Sequence, residues 1–408
     1  TPLLEESLVA LAKNRQRVTP LPQKFLIKHG DFPLDEVKDY VFEWPRDNSS
    51  YPRLFIRDSD RGSLKNRLDI EPSEVVRWSS RQPIDKYNIE GPLLAWFDSE
   101  DAGLGQAIAN RSQKWLDLAV NNDILDQLDR VTLGVAPHNQ AVQLLPTLNL
   151  TDAALGCGCL TDEQRGRMLA QVAFLGYALN REDYWSPERG FSANPNMTTT
   201  VALFRTAIAS LIPSHPMARQ WADNGLLELR RQLYEWSDED GGWLEAPHYA
   251  MVSFDHILGA FVMARNAGFG DHVHDERIRE VIEWLAKIST PPDWRIGGFR
   301  HYPPIGNTYV GETTGMFGIV AGLWRDRDPE FAAQMQWMSD AHGWPQIGLL
   351  GPFGTFSGYQ ASLRKQGVAP KAPNYKSQWF VDTGVVLRNT FGSDRETYLH
   401  LIAGSQHE

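Results

Sequence analysis

From residue 168 to residue 323 the chain carries one apolar stripe after another, each at helical spacing. Met168, Val172, Leu175 and Leu179 recur every three or four residues, as do Phe204, Ile208 and Leu211, then Leu226, Leu229, Leu233 and Trp236. The series continues with Met251, Phe254, Leu258 and Phe261, with Ile278, Val281, Leu285 and Ile288, and with Met316, Ile319 and Leu323. Residues at that spacing return to one face of an α-helix, so each stripe marks the side a helix buries. A chain built this way, with Gly-, Pro- and Asn-containing breaks between stripes, must pack helix on helix. The similar size of the helical pairs fits an α/α toroid of antiparallel helix pairs, and periodicity alone fits a plain bundle equally well.

The flanks differ. Before residue 100 the chain reads as irregular after one helix over Leu3–Lys13. Pro20, Pro22, Pro33, Pro45, Pro52 and Pro72 interrupt any longer helix. Residues 1–100 are therefore expected to wrap the helical domain, which spans 101–370. Beyond it, Ser377 to Thr390 alternates, with Trp379, Val381, Thr383 and Val385 on one face, and Thr397 to Ile402 forms a second run. Phe391-Gly392-Ser393-Asp394 separates the two as a turn, so the pair reads as an antiparallel hairpin. Two strands alone are marginal in water. Residues 371–408 are accordingly expected to be the first strands of a β-domain.

Composition narrows the function classes. A net charge of −11 argues against general nucleic-acid binding. No apolar run reaches the roughly 20 residues that span a bilayer, so no membrane partner is expected. Cys157 and Cys159, two apart in Gly-Cys-Gly-Cys, read as free thiols in a turn. Asp271, His272, His274 and Asp275 read as a helix-entry loop, and no metal or other cofactor is expected. Fourteen Trp are present, several beside Gly, Pro or acidic residues, as in Trp185-Ser186-Pro187 and Pro292-Asp293-Trp294. Such aromatics suit stacking on the apolar faces of sugar rings, or plugging helix ends.

Three loop-to-helix junctions hold the chemistry. Phe191-Ser192-Ala193-Asn194-Pro195-Asn196-Met197-Thr198 leads into a helix, where one Asn serves as a cap and the second is left over. Asp238, Asp240, Gly241, Gly242, Trp243 and Glu245 run into Pro247, His248 and Tyr249. The proline suits a first helical turn and places His248 and Tyr249 at the helix entrance. Gly297, Gly298 and Phe299 lead through Arg300, His301, Pro303 and Pro304 to Gly306, Asn307 and Glu312. Gly and Pro there fix a turning backbone that sets Arg300 beside His301 as an anion or sugar contact.

In this order along the chain, the Asn-containing helix entrance, the Gly-Gly-Trp-x-Glu-x-Pro-x-Tyr pattern ending at Tyr249 and the Pro-Pro-x-Gly-Asn loop ending at Asn307 resemble the heparinase II/III-like polysaccharide lyases. That family includes alginate and oligoalginate lyases. The stretch from Tyr398 to His407 and Glu408 adds to the likeness, which covers about residues 101–408. It implies an α/α toroid followed by the start of an antiparallel β-sandwich, a secreted or periplasmic protein, and an acidic polysaccharide or oligosaccharide as substrate. A uronate chain is cleaved in such lyases by removing the C5 proton and expelling the oxygen at C4. Charge building beside the sugar carboxylate must be stabilised by donors such as an Asn amide. A Tyr or His takes the proton and returns one to the leaving oxygen. A free phenol has a pKa of about 10, so nearby cations must assist it as a base.

Carried over by residue, the resemblance implies Asn196 as the neutralising amide, with Asn194 as the second candidate. Tyr249 becomes the catalytic phenol and His407 the sandwich-side imidazole. Arg300, His301, Asn307 and His248 become substrate contacts, and Trp243 a stacking platform or a plug. Several relatives place His directly after the Asn, whereas Met197 stands there here. Tyr249 must then act as both base and acid, or His248 substitutes. The acidic net charge requires a locally basic cleft for a polyanion. Two other readings stay open: a glycoside hydrolase using Asp240 and Glu245, and a sugar-binding protein without catalysis.

Overall fold

In the computed structural model the described residues are 39–45, 50–60, 90–120, 144–181, 195–343 and 367–402. The helix expected over Leu3–Lys13 lies outside them, as do Asn194 and His407. The chain divides into two compact units, 1–61 with 72–227 and 263–270, and 62–71 with 228–262 and 271–408.

The first unit holds α1 (Glu90–Ser99), α2 (Ala102–Leu118), α3 (Leu144–Gly156), α4 (Asp162–Leu179) and α5 (Pro195–Leu211). Their starts follow local chemistry. Asp101 accepts from the Leu104 amide at 2.7 Å to cap α2. Thr161 and Gln164 cap α4 reciprocally, satisfying two donors that the helix cannot. The stripes of α4 and α5 are buried, including Val172, Leu175, Ile208 and Leu211. Helix α1 falls in a stretch that reads as irregular. It forms because Pro92 lies in the first turn, where a missing N–H breaks no helical bond.

The described part of the N-terminal stretch before α1 is irregular, with a short 3-10 turn at Asp58–Asp60, and is held by specific contacts. Tyr40 stacks on Tyr177 at 3.9 Å, and the amides of Arg53 and Leu54 donate to Asp152 at 2.9 Å each. Burial pushes the Asp152 carboxyl up to about 7, against those amide contacts. Cys157 and Cys159 are bridged rather than free. Gly158, at φ +67°, turns the chain so that their Cα atoms stand 5.3 Å apart, within bridging reach.

Helices α6 (Ala218–Glu235) and α7 (Pro247–Ala267) contribute residues to both units. The second unit adds α8 (Glu276–Ile288), α9 (Met316–Trp324) and α10 (Pro329–His342). Asp275 caps α8, accepting from the Arg277 amide at 3.1 Å, as the helix-entry reading of the Asp271–Asp275 loop expects. Phe254, Phe261, Leu285, Phe317 and Phe331 are all buried. Among the described residues no helix is long and apolar enough to cross a membrane.

Three antiparallel strands follow, β1 (Gln378–Phe380), β2 (Gly384–Asn389) and β3 (Thr397–Ile402), in the order β1-β2-β3. The expected hairpin is β2-β3, with Val386 opposite His400. The first run does not continue as one strand. Gly384, at φ +128°, lets the chain reverse, and Trp379 pairs with Val385 across the new turn. Phe380, Val386 and Arg388 face inward, whereas Trp379, Leu387, Leu399 and Leu401 form an exposed apolar outer face.

The inner face is tied to α8 by polar contacts. Tyr398 donates to the Ile288 carbonyl at 2.7 Å, and Arg388 to the Lys287 carbonyl at 3.0 Å. These carbonyls belong to the last turn of the helix, which leaves acceptors without helical partners.

Candidate active site

The second unit builds its helix entrance from the Gly-Gly-Trp loop. Asp238 is the staple: one carboxylate oxygen accepts from the amides of Asp240 at 2.9 Å and Gly242 at 2.7 Å. Burial raises its carboxyl above the usual range, and the amides counter that. Gly241 sits at φ +81°, and a Cβ there would lie 2.2 Å from the Glu280 carbonyl carbon, so only glycine passes this point. Trp243 is 0% exposed, and its indole N–H donates to Glu245 at 3.1 Å. The expectation of a stacking platform is therefore corrected: with no face open to a sugar, Trp243 is the plug of this loop.

The loop delivers Pro247 as the first residue of α7, and His248 and Tyr249 follow in the first turn. The backbone amide of His248, one of the donors a helix start leaves over, reaches Thr308 Oγ1 at 3.2 Å. Its Nδ1 lies 3.1 Å from Glu312 Oε1. Glu312 is wholly buried, and its other oxygen accepts from the Tyr309 amide at 2.9 Å. The His248 ring meets Tyr249 edge-on at 4.8 Å and Tyr309 at 5.4 Å. Tyr249 is half-buried, and its hydroxyl has no hydrogen-bond partner among the described residues. Tyr309 is 63% exposed, an aromatic face open to solvent beside the imidazole. Asn307 is exposed, one residue from the Thr308 contact.

Arg300 and His301 do not present themselves to a ligand. Arg300 is 1% exposed and pairs with Glu396, which also pairs with Arg388. Its guanidinium lies over Phe391 at 4.3 Å. His301 is 4% exposed, with Nδ1 on the Tyr302 carbonyl at 2.7 Å and Nε2 3.4 Å from Asp293. Arg295 holds that Asp293 carboxyl well below the usual carboxylate range through side-chain hydrogen bonds. The expectation that both line a subsite is corrected, because their polar atoms are turned into the protein to hold the loop. Tyr302 is buried too, and burial, with Glu312 nearby, pushes its phenol well above 10. It stays protonated and cannot serve as a base.

Asn196 is described within the first unit, as the second residue of α5. Its backbone carbonyl accepts from Thr200 at 2.7 Å and Thr199 at 3.2 Å. Its side-chain Oδ1 is buried without a hydrogen-bond partner among the described residues. The cap role that sequence logic gives an Asn here falls outside position 196, which is already inside the helix.

Two residues at this entrance were not singled out for function by the sequence: Tyr309, and Glu312 as the partner of His248. A carboxylate 64 positions from a histidine leaves no periodic signal. The only hint was the crowding of Gly306, Asn307 and Glu312 in one loop.

The described residues are mainly helical with a small antiparallel sheet following the helices, and the fold is of the α/α toroid class. The particular likeness is to heparinase III: the fold is a heparinase-like polysaccharide lyase fold. One solved heparinase III gene product, with methylated lysines, superposes with a TM-score of 0.51 at 14% identity, over 99% of this chain and 60% of that one. A second crystal structure of heparinase III gives 0.51 at 15% identity, over 95% of this chain and 61% of the other. The chain thus spans about three-fifths of the length of those structures. No family model and no curated protein matches it.

Proposed function

We propose that this protein is a polysaccharide lyase that cleaves a uronate-containing polysaccharide or oligosaccharide by β-elimination. The observation that carries the reading is the Tyr249 ring edge-on to the His248 imidazole, its hydroxyl without a hydrogen-bond partner among the described residues, at a helix entrance of a heparinase-like fold. A phenol and an imidazole side by side can hand protons to and from a sugar ring without a metal. In this reading Tyr249 is the catalytic phenol. Asn196 supplies the amide that steadies charge beside the sugar carboxylate, for which a donor aimed at developing charge is the effective device. His407 is assigned to acid/base transfer or carboxylate binding. Asn307 and the open ring of Tyr309 are the sugar contacts. The exposed outer face of the three-stranded sheet fits residues 371–408 as the first layer of a β-domain. A polymeric substrate accords with a secreted or periplasmic location.

The test is incubation with a panel of uronate polymers and oligosaccharides while following the ultraviolet absorbance of a new C4–C5 double bond. Tyr249→Phe is expected to abolish that signal with an unchanged circular dichroism spectrum. Products with ordinary saturated ends would replace this reading with a hydrolase. Undiminished activity in Tyr249→Phe would remove Tyr249 from the mechanism.

A further inference from the structure

We infer that Glu312 is a positioning residue that fixes His248 with its proton on Nδ1, leaving Nε2 as the proton acceptor of the site. The chemical half of this inference rests on the lyase reading above. A carboxylate oxygen only accepts, so the ring nitrogen it faces must be the one carrying hydrogen. Glu312 is itself held rigidly. It is wholly buried, its second oxygen takes the Tyr309 amide at 2.9 Å, and its own carbonyl takes the Tyr302 amide at 2.9 Å. The backbone of His248 is fixed separately, through Thr308. Both ends of the hydrogen bond are thus built into the fold, and Nε2 has no partner among the described residues.

The chemistry balances without a further reagent. His248 Nε2 takes the C5 proton, and the C5–H electron pair becomes the C4–C5 double bond as the C4–O bond breaks. The departing oxygen takes the hydroxyl proton of Tyr249. Imidazolium and phenolate are left on adjacent rings, 4.8 Å apart between centroids. Transfer of one proton between them restores both groups. This supplies the imidazole that Met197 cannot.

Glu312→Gln is the discriminating variant. Glutamine offers one accepting oxygen where Glu312 serves two N–H groups, and the Tyr309 backbone cannot give up its proton. The new NH2 group then faces Nδ1, which must accept, and the ring proton moves to Nε2. Nitrogen-15 NMR of the histidine rings in the full chain reads this, with the His248 signals assigned by their loss in His248→Gln. We expect an Nδ1–H ring in the native protein and an Nε2–H ring in Glu312→Gln. Turnover of the best uronate polymer should show kcat lowered by about 10²- to 10⁴-fold with KM nearly unchanged, as for an imidazole locked in the wrong tautomer. Glu312→Asp, which keeps two accepting oxygens, should retain the Nδ1–H ring.

An Nε2–H ring in the native protein, or the same tautomer in native and Gln forms, overturns the positioning role. A switched tautomer with unchanged kcat overturns His248 as the acceptor and leaves the lyase reading standing. Absence of unsaturated product from the native protein sinks the lyase reading and the chemical half together. The spectra then decide the positioning half alone.

Discussion

Replacing Glu396 is the sharpest test of how the C-terminal strands are held. Its carboxylate sits between two buried guanidinium groups, Arg300 and Arg388, and also accepts from the Gly392 amide at 2.9 Å. Burial alone would raise the Glu396 carboxyl. The Arg300 hydrogen bond, the Gly392 amide and the two cations outweigh it and hold the group below its ordinary value. Glu396→Ala leaves two like charges in the interior with nothing between them. At an effective dielectric of about 20 and a separation on the order of 6 Å, their repulsion is about 3 kcal/mol. That agrees with the roughly 3–5 kcal/mol typical of breaking a buried ion pair. Urea unfolding followed by tryptophan fluorescence should show the midpoint falling by roughly 0.5–1 M, given a slope of roughly 3–5 kcal/mol per molar for a chain of this size. The control is Glu330→Ala, which removes the exposed pair with Lys371. Exposed pairs contribute little, so this variant should leave the midpoint unmoved. If Glu396→Ala moved it no further than Glu330→Ala, the two arginines would not be in a dry interior and the reasoning would fail.

Acid should weaken the fold through its buried histidines. Burial holds His342 down at about 3 from an ordinary 6.5, and it lowers His215 as well. The unfolded chain takes up these protons near 6.5, whereas folded His342 resists until about 3, so stability falls as pH drops through that window. Urea midpoints measured across it should fall less steeply in His342→Gln; equal slopes would remove His342 from the effect. At the site, Tyr309→Ala should raise KM about 2- to 12-fold for a uronate oligosaccharide with kcat nearly constant, the range expected for losing one aromatic contact. An unchanged KM would show that the exposed ring meets no sugar.

The apolar stripes at helical spacing make α4 through α9 legible in the sequence alone, because burying one face of a helix demands that spacing. Pro247 marked the start of α7 and so placed His248 and Tyr249 in its first turn, since a proline costs nothing there. Other features were legible only in type. Arg300 and His301 stand side by side in a Gly- and Pro-rich loop, which suggests exposure, yet burial closes over both. Trp243 follows two glycines in a loop where it could serve as a platform or a plug, and the packing decides for the plug; Gly241 is there because Glu280 leaves no room for a side chain. The first β-run looked continuous because alternation does not register a turn that a single glycine permits.

What the sequence determined by itself was local: the helical segments from α4 through α9, the start of α7 at Pro247, and the apolar stripes those helices bury, because all three follow from contacts within a few positions of the chain. Only the tertiary structure decided that Glu312 stands behind His248, that Glu396 lies between Arg300 and Arg388, and that Tyr309 is left open beside the imidazole. Those pairings join residues from 8 to 96 positions apart. At most of these separations no periodicity survives, and which charge meets which is settled by how the helices and loops pack.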